Sequence, residues 1–187
     1  MSLRGLSAPS TEATLALDAV SFDHTEGKGW RPLYEAQCYI EAAELLREWC
    51  ARHGGDFSPT KPLDRYILHI LSWHEAQMWA FGGRDDEALP IFDSTYVPVE
   101  SNSDTAWNLY VDGTLAFLRR DQPALQAAIS ELAAIPPPPD WGNAVGAGGR
   151  PISIEWPQNL DLLQGLLRCW EQTYSVAYVC RDSAKLR

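Results

Sequence analysis

Three residues that could do chemistry lie close together near the middle of the chain, His69, His74 and Glu75. Zinc peptidases place two histidines four residues apart on one helix face, with a glutamate directly after the first. Here the histidines are five residues apart, which turns the two imidazoles away from each other by about 140° at 3.6 residues per turn. His74 also falls on an apolar helical stripe. The spacing therefore predicts no metal ligand; it favours a packed, hydrogen-bonded His74, with a groove-lining His74 as the alternative.

The residue types needed for nucleophilic catalysis are present without a recognisable pattern. The chain has four histidines but no Gly-x-Ser-x-Gly turn. The four cysteines form no C-x-x-C pair, and each falls within a helix-like pattern, so we predict reduced, buried thiols over a disulfide or zinc site. These cysteines are Cys38, Cys50, Cys169 and Cys180. No catalytic residue and no cofactor is predicted, although a triad can be assembled from distant residues.

The composition narrows the class of partner. The chain has 187 residues and a formal net charge of −10, and its only basic cluster is the pair Arg119-Arg120. Nucleic acids and anionic membranes, which attract basic patches, are therefore not expected partners. No apolar run approaches the length of a membrane span, and the first residues do not resemble a secretory signal. We expect a cytoplasmic protein.

Apolar residues at steps of three and four predict an all-α fold of about seven helices. Residues 1–30 are mixed, and "SFDHTEGKGW" (21–30) is interpreted as a loop. One helix is predicted from Pro32 to about Cys50. A second begins near Pro62 and ends at Gly82-Gly83. Further helices follow, so that residues 31–187 form one helical domain.

A long segment from residue 135 to 158 interrupts the helical pattern with six prolines and four glycines. Such a composition excludes a long regular element. "GAGGR" (146–150) lacks the Lys-Ser/Thr of a phosphate-binding loop, so a flexible loop is favoured. Trp141 and Trp156 lie in this segment, where a large aromatic side chain must either fasten the loop or contact a partner.

The sequence also contains an internal repeat. "AFGGRDDEAL", from Ala80 to Leu89, aligns with "AFLRRDQPAL", from Ala116 to Leu125, at a spacing of 36 residues and with six of ten positions identical. A weaker third copy lies at Cys169 to Tyr178. A period in the mid-thirties built from helix, tight turn and helix is typical of a helical solenoid.

These residues resemble the tetratricopeptide repeat. "GRDDEAL" (83–89) is similar to that family's turn and the start of its second helix. The small and large packing positions of the family are matched by Ala76, Trp79, Ala88, Phe92, Ala124, Gly165 and Ala177, and its closing proline is matched by Pro136. Asp112 departs from the pattern, because it stands where a small residue is expected. The resemblance covers roughly residues 62–187 and implies antiparallel helix pairs stacked as a short right-handed solenoid.

The same resemblance implies a groove lined by the first helix of each pair. The implied groove residues are Trp73, His74 and Gln77 in the first copy, Leu109 and Tyr110 in the second, and Leu162 and Leu166 in the third, with Trp141 and Trp156 added from the loop. Plain core residues are the alternative interpretation. The predicted function is a non-catalytic interaction module that binds a protein segment or a second copy of itself.

Two other functions stay open at this point. One is a small-molecule-binding or enzymatic domain with a pocket near His74 under the Pro/Gly segment; the other is a purely structural subunit. An interaction module should leave His74 and Glu75 on different surfaces with no acid converging on them. An enzyme should bring two or more titratable groups together in one cleft.

Overall fold

The computed structural model describes residues 11–58, 61–139, 141–142 and 155–180. Every regular element in these ranges is a helix, which confirms the predicted all-α class. The chain divides into two compact units, residues 1–82 and 83–187, and each is described by itself. The predicted boundary at residue 30 does not coincide with this division. The stretch 143–154, with its glycine-rich "GAGGR", lies outside the described residues.

Five α-helices lie in the described part of the first unit. They are α1 (Thr11–Leu15), α2 (Ala19–Asp23), α3 (Arg31–Glu35), α4 (Tyr39–His53) and α5 (Pro62–Phe81), with a 3₁₀ turn at Gly54–Asp56 after α4. The limits of α5 confirm the prediction, because proline suits a first helical turn and glycine a helix end.

Two sequence interpretations of the first unit were wrong. The helix expected from Pro32 is two helices, α3 and α4, because Gln37 adopts a left-handed conformation with φ of 59° and the Cys38 N–H donates to the Leu33 carbonyl. The segment interpreted as a loop begins with the last three residues of α2, a helix whose first turn is capped by the Asp18 carboxylate. Asp18 accepts from the N–H groups of Val20 and Ser21, each at 3.0 Å.

Trp49 of α4 holds the short N-terminal helices onto the α4–α5 pair. Its ring stacks on Phe22 with 4.9 Å between centroids and on His53 with 4.4 Å. Its indole N–H donates to the Leu17 carbonyl at 2.9 Å. Because a buried indole needs a partner for its N–H, this bond fixes the chain between α1 and α2 at one place on α4.

The residues that the structure describes in the second unit also form five helices, α6 (Asp85–Asp93), α7 (Asn102–Leu118), α8 (Gln122–Ala134), α9 (Leu160–Arg168) and α10 (Tyr174–Tyr178). Ser101 caps α7 by accepting from the Asp104 N–H, and Asp121 caps α8 by accepting from the Ala124 N–H. In this unit α7 packs against α8, and α9 contacts α7, α8 and α10.

Gly113 of α7 lies against the side chain of Leu163 of α9. A Cβ at this position would lie 2.6 Å from Leu163 Cδ1 and 2.7 Å from its Cδ2. The Leu163 side chain is fully buried against the bare backbone. The small residue at this contact is therefore Gly113, which directly follows Asp112, the position that departs from the repeat pattern.

The described ends of the Pro/Gly segment are joined to each other, and the first of them is also joined to α7. The Trp156 indole N–H donates to the Ile135 carbonyl at 2.7 Å, and its ring meets Trp141 edge-on with 4.6 Å between centroids. Asn102 donates from its side-chain amide to the Pro136 carbonyl at 3.0 Å. Trp156 therefore fastens the loop, one of the two roles that its position predicted.

Two of the four cysteines differ from the prediction of reduced thiols. Cys169, after α9, and Cys180, after α10, form a disulfide with 6.3 Å between their Cα atoms. Cys38 and Cys50 are free thiols. Helical periodicity could not show the pairing, because it does not tell which helix ends lie side by side.

Candidate functional site

The predicted groove residues are divided between the two units. Trp73, His74 and Gln77 belong to the first unit, and the others belong to the second. Trp73 and Gln77 are 3% and 6% exposed, and Tyr110, Leu162 and Leu166 are equally well buried. His74, Leu109, Trp141 and Trp156 are half-buried. The burial places Trp73, Gln77 and Tyr110 in the interior, and whether any of these residues binds a partner stays a prediction.

His74 is joined to a carboxylate that the sequence did not bring forward. Nδ1 of His74 donates to Oδ1 of Asp23 at 3.0 Å. Asp23 is 2% exposed and lies 51 positions earlier in the chain, at the end of α2. Within the described part of the chain, Nε2 of His74 makes no hydrogen bond. The imidazole is therefore oriented through one nitrogen while the other remains available.

Further donors hold the Asp23 carboxylate. The Trp30 indole N–H donates to the same Oδ1 at 2.9 Å, and the Trp30 ring lies 5.0 Å from the His74 ring, centroid to centroid. Arg31 donates from Nε to the Asp23 backbone carbonyl and places Nη2 3.6 Å from Oδ1. His24 Nε2 lies 3.5 Å from Oδ2, which has no hydrogen-bond partner among the described residues.

Burial and hydrogen bonding shift the pKa of Asp23 in opposite directions. Burial raises this pKa, because it removes the charged form from water. Hydrogen bonds from His74 and Trp30, with the positive potential of His74 and His24, act in the opposite direction and leave the pKa below the ordinary value. Asp23 is therefore ionised near neutral pH and accepts hydrogen bonds.

A second buried carboxylate is held in a similar way. Glu75 accepts from Arg47 Nε at 2.8 Å and from the Trp79 indole N–H at 3.2 Å. The Arg47 guanidinium also lies 4.8 Å from the centroid of the Trp79 ring. Each carboxylate thus has a tryptophan N–H and a basic group, which is how a buried charge is tolerated.

The chemistry available in the first unit is limited. An aspartate that orients a histidine is the arrangement that prepares a general base. The nearby Cys50 is not a suitable nucleophile, because burial, with the negative potential of Glu75 and Asp23, raises the pKa of its thiol to about 12. Among the described residues, no group of three or more His, Cys, Asp or Glu side chains could hold a metal ion.

An open groove lies within the second unit, along α7 and α8. Its volume is about 290 Å³. The α7 side is formed by residues at helical spacing, Leu109, Asp112, Leu115, Ala116 and Arg119; the α8 side is formed by Ala124, Ala127, Ala128 and Glu131; Tyr96 and Asp121 complete the lining. The alanines have short side chains and form the floor of the groove, and the charged residues lie along its rim.

The charges around this groove are mainly negative. Asp112, Asp121 and Glu131 are opposed by one basic lining residue, Arg119, whose Nη2 lies 3.6 Å from Asp93 Oδ1. The Tyr96 hydroxyl donates to Asp112 Oδ1 at 2.5 Å. Burial, followed by this bond and the charge of Asp112, raises the pKa of Tyr96, so that it stays a neutral phenol. The groove therefore presents an apolar floor with an acidic rim.

Of the residues that line this groove, Leu109 alone was predicted from the sequence to be a groove residue. A usable sequence signal for the groove existed, because Ala124, Ala127 and Ala128 share one face of α8 and leave it without large side chains.

The sequence signal for the position of Asp23 was weaker. Gly27 and Gly29 have φ of 70° and 61°, and they turn the chain so that Trp30 returns to Asp23. A Cβ at Gly29 would lie 1.7 Å from the Phe22 carbonyl oxygen, so glycine is required there.

No protein-family model, no curated protein and no solved structure matches this chain. The resemblance to the tetratricopeptide repeat therefore stays a prediction. Within the described residues, no helix is long and apolar enough to cross a membrane.

Proposed function

We propose that the protein is a non-catalytic interaction module whose second unit binds a protein segment carrying lysine or arginine in the groove between α7 and α8. The observation that carries the proposal is the groove itself, a concave surface with an alanine floor and an acidic rim. Small floor residues leave room for the side chains of a partner, which would supply the apolar anchors.

Charge selects the class of partner. Three carboxylates line the groove against one guanidinium, and that guanidinium already lies beside Asp93. The whole chain carries a formal charge of −10. A cationic segment would be attracted over a distance and would meet opposite charge at the rim, whereas a second acidic copy of the chain would be repelled.

The helical-repeat arrangement belongs to the same proposal. We infer that α7 with α8 and α9 with α10 are consecutive antiparallel pairs of a short right-handed solenoid. Support comes from the contacts of α9 with both α7 and α8 and from the close approach of Leu163 to Gly113. Stacked pairs of this kind bury a core between neighbours and leave elongated grooves along their surface.

The test is a selection of binders from a random peptide display library on the full chain. We expect the selected peptides to be enriched in lysine and arginine. Ala127→Trp, which fills the groove, and Glu131→Lys, which reverses a rim charge, should each weaken their binding by about tenfold or more, equivalent to about 1.4 kcal/mol. Matched controls are Ala51→Trp and Glu26→Lys, which make the same changes at exposed positions of the first unit.

Two results would overturn the proposed partner. Selected peptides that are not enriched in lysine and arginine would show that charge does not select the partner. Peptide binding that is equally strong in Ala127→Trp would show that the groove is not the binding site. Sedimentation analysis supplies the remaining outcome: a dimer that dissociates in Ala127→Trp would mean that a second copy, not a cationic segment, occupies the groove.

The enzymatic alternative keeps one specific observation in its favour. An enzyme was expected to bring two or more titratable groups together in one cleft. Asp23 and His74 meet part of this expectation, because Oδ1 of Asp23 lies 3.0 Å from Nδ1 of His74. An oriented imidazole would accelerate hydrolysis of an activated ester such as p-nitrophenyl acetate beyond the rate of free imidazole. We expect such acceleration to be lost in His74→Ala if this function exists, and an unchanged rate in that variant would exclude it.

The cytoplasmic location is also a proposal, and the Cys169–Cys180 disulfide does not favour it. Stable disulfides are typical of oxidising compartments, whereas cytoplasmic ones are usually transient. Fractionation of the source cells, with an antibody to this chain for detection, would show whether the protein is in the cytoplasm or in an oxidising compartment.

A further inference from the structure

The disulfide occupies a particular place in the second unit. Cys169 directly follows α9 and Cys180 lies two residues after α10, so the bond closes a short loop, of sequence separation 11, that contains all of α10. Both cysteines are partly exposed. Neither cysteine is enclosed in the core of the unit.

The two ends of this loop are held differently. The first part is fastened by Arg120, which donates from Nη1 to the Trp170 carbonyl at 2.6 Å and from Nη2 to the Gln172 carbonyl at 3.2 Å. The Arg120 guanidinium also lies 5.0 Å from the centroid of the Phe117 ring. These contacts do not involve the disulfide and persist when it opens.

The last part of the loop is held to α9 at positions close to the disulfide. Beyond Tyr174, which is buried near Phe92 and Phe117, α10 continues for only four residues. Arg168 donates to the Cys180 carbonyl at 2.8 Å, and Ala177 packs over Gly165. A helix of five residues is too short to persist without a restraint at its end.

We propose that Cys169–Cys180 is a reversible thiol–disulfide exchange site, and that its reduction by a dithiol releases the C-terminal part of α10 from α9. The inference is independent of the groove between α7 and α8. Cys50 would not compete in the exchange, because burial raises the pKa of its thiol to about 12 and keeps it protonated.

The exchange takes place in two balanced steps. A thiolate of the dithiol attacks Cys169 Sγ, a mixed disulfide forms, and the Cys169–Cys180 bond breaks with Cys180 leaving as a thiolate. The neighbouring Arg168 guanidinium favours negative charge there. The second thiol of the reductant then attacks the mixed disulfide and releases Cys169. The reductant is oxidised to its disulfide, two electrons pass to the protein, and the two thiol protons end on Cys169 and Cys180.

Alkylation and mass spectrometry first determine whether Cys169 and Cys180 are oxidised or reduced. The experiment then compares the rates of amide hydrogen exchange of the full chain with and without dithiothreitol. We expect the pair to be oxidised in air and reduced by dithiothreitol without denaturant. On reduction, amides of residues 176–180 should exchange about tenfold faster or more, whereas amides of residues 160–166 in α9 should change by less than about twofold. The diagnostic bonds are those from the N–H of Ala177 to the Thr173 carbonyl and from the N–H of Cys180 to the Ala177 carbonyl.

Matched variants complete the design. Cys169→Ser/Cys180→Ser should exchange like the reduced wild type and ignore dithiothreitol; if it does not fold, the reduced wild type still provides the measurement. Cys38→Ser/Cys50→Ser should keep both the disulfide and its response. The proposal is overturned if the disulfide does not form, if it is reduced only after denaturation, or if exchange at residues 176–180 is the same in both states.

Discussion

Asp23 and His74 are joined by a hydrogen bond of 3.0 Å from Nδ1 to Oδ1 although 51 residues separate them. The bond connects the end of α2 to the middle of α5. It gives a short N-terminal helix a polar attachment to the α4–α5 pair, beside the apolar attachment through Trp49. Most predictions for the first unit follow from this pair.

Removal of the Asp23 carboxylate should destabilise the first unit. In Asp23→Ala, the Trp30 indole and the His74 imidazole lose their shared acceptor while they remain largely buried. We expect a loss of about 3 kcal/mol in the free energy of unfolding, within the range for breaking one side of a buried charged pair. Urea unfolding followed by tryptophan fluorescence measures it. Glu26→Ala, in an exposed part of the same segment, is the control; equal stability of the two variants would contradict the prediction.

The same carboxylate should make stability depend on pH on the acid side. Its pKa is lowered in the folded chain, and an unfolded aspartate has a pKa of about 3.9. Between these values the unfolded state binds more protons, so stability falls as the pH falls. The contribution is fully present above about pH 5 and is lost as the pH decreases through the folded pKa.

Urea unfolding of the wild type and Asp23→Asn at several pH values tests this dependence. We expect the difference in stability between the two chains to shrink as the pH is lowered from neutrality to below about 3.9. A difference that stays constant over this range would show that the charge of Asp23 contributes nothing.

Gly113→Ala should destabilise the second unit. The added methyl group would lie 2.6 Å from Leu163 Cδ1, so α7 and α9 must separate or Leu163 must leave its rotamer. The expected cost is about 1–3 kcal/mol in the free energy of unfolding. Gly55→Ala, where a Cβ meets nothing within 4 Å, is the control. Leu163→Val should recover part of the loss in the Gly113→Ala background, and additive losses would contradict the proposed clash.

Trp156→Phe should loosen the described end of the Pro/Gly segment. The substitution keeps an aromatic ring near Trp141 but removes the N–H that donates to the Ile135 carbonyl. We expect a cost of about 1 kcal/mol and faster cleavage between residues 135 and 158 by a low concentration of protease. Trp141→Phe, in the same aromatic pair, is the comparison. Equal cleavage of wild type and Trp156→Phe would mean that this bond does not fasten the loop.

Long helices were predictable from sequence where local signals agreed. For α5, the stripe of apolar residues, the first-turn proline and the terminal Gly-Gly all pointed to the same limits. The break between α3 and α4 was not predictable in this way, because the apolar spacing continues through Gln37 while the backbone there does not. Periodicity detects which residues share a helix face, and it is insensitive to one residue in a left-handed conformation.

The candidate site was predictable only in part. His74 was recognised as a residue on an apolar stripe that needs a hydrogen-bond partner, but Asp23 lies in a segment without periodicity. Likewise, the groove of the second unit depends on the absence of large side chains at Ala124, Ala127 and Ala128. Sequence reasoning gave weight to the large aromatics and placed several buried residues in a groove, because large side chains serve equally well in a core and in a binding site.

The sequence by itself determined the all-α class and the limits of α5, because these depend on interactions between residues a few positions apart. Only the tertiary structure decided that Asp23 meets His74, that Gly113 receives Leu163 and that Cys169 lies beside Cys180. Such pairs depend on how separate helices pack. A stripe of apolar residues predicts that one face of a helix will be buried, but it does not indicate which distant residue will cover that face.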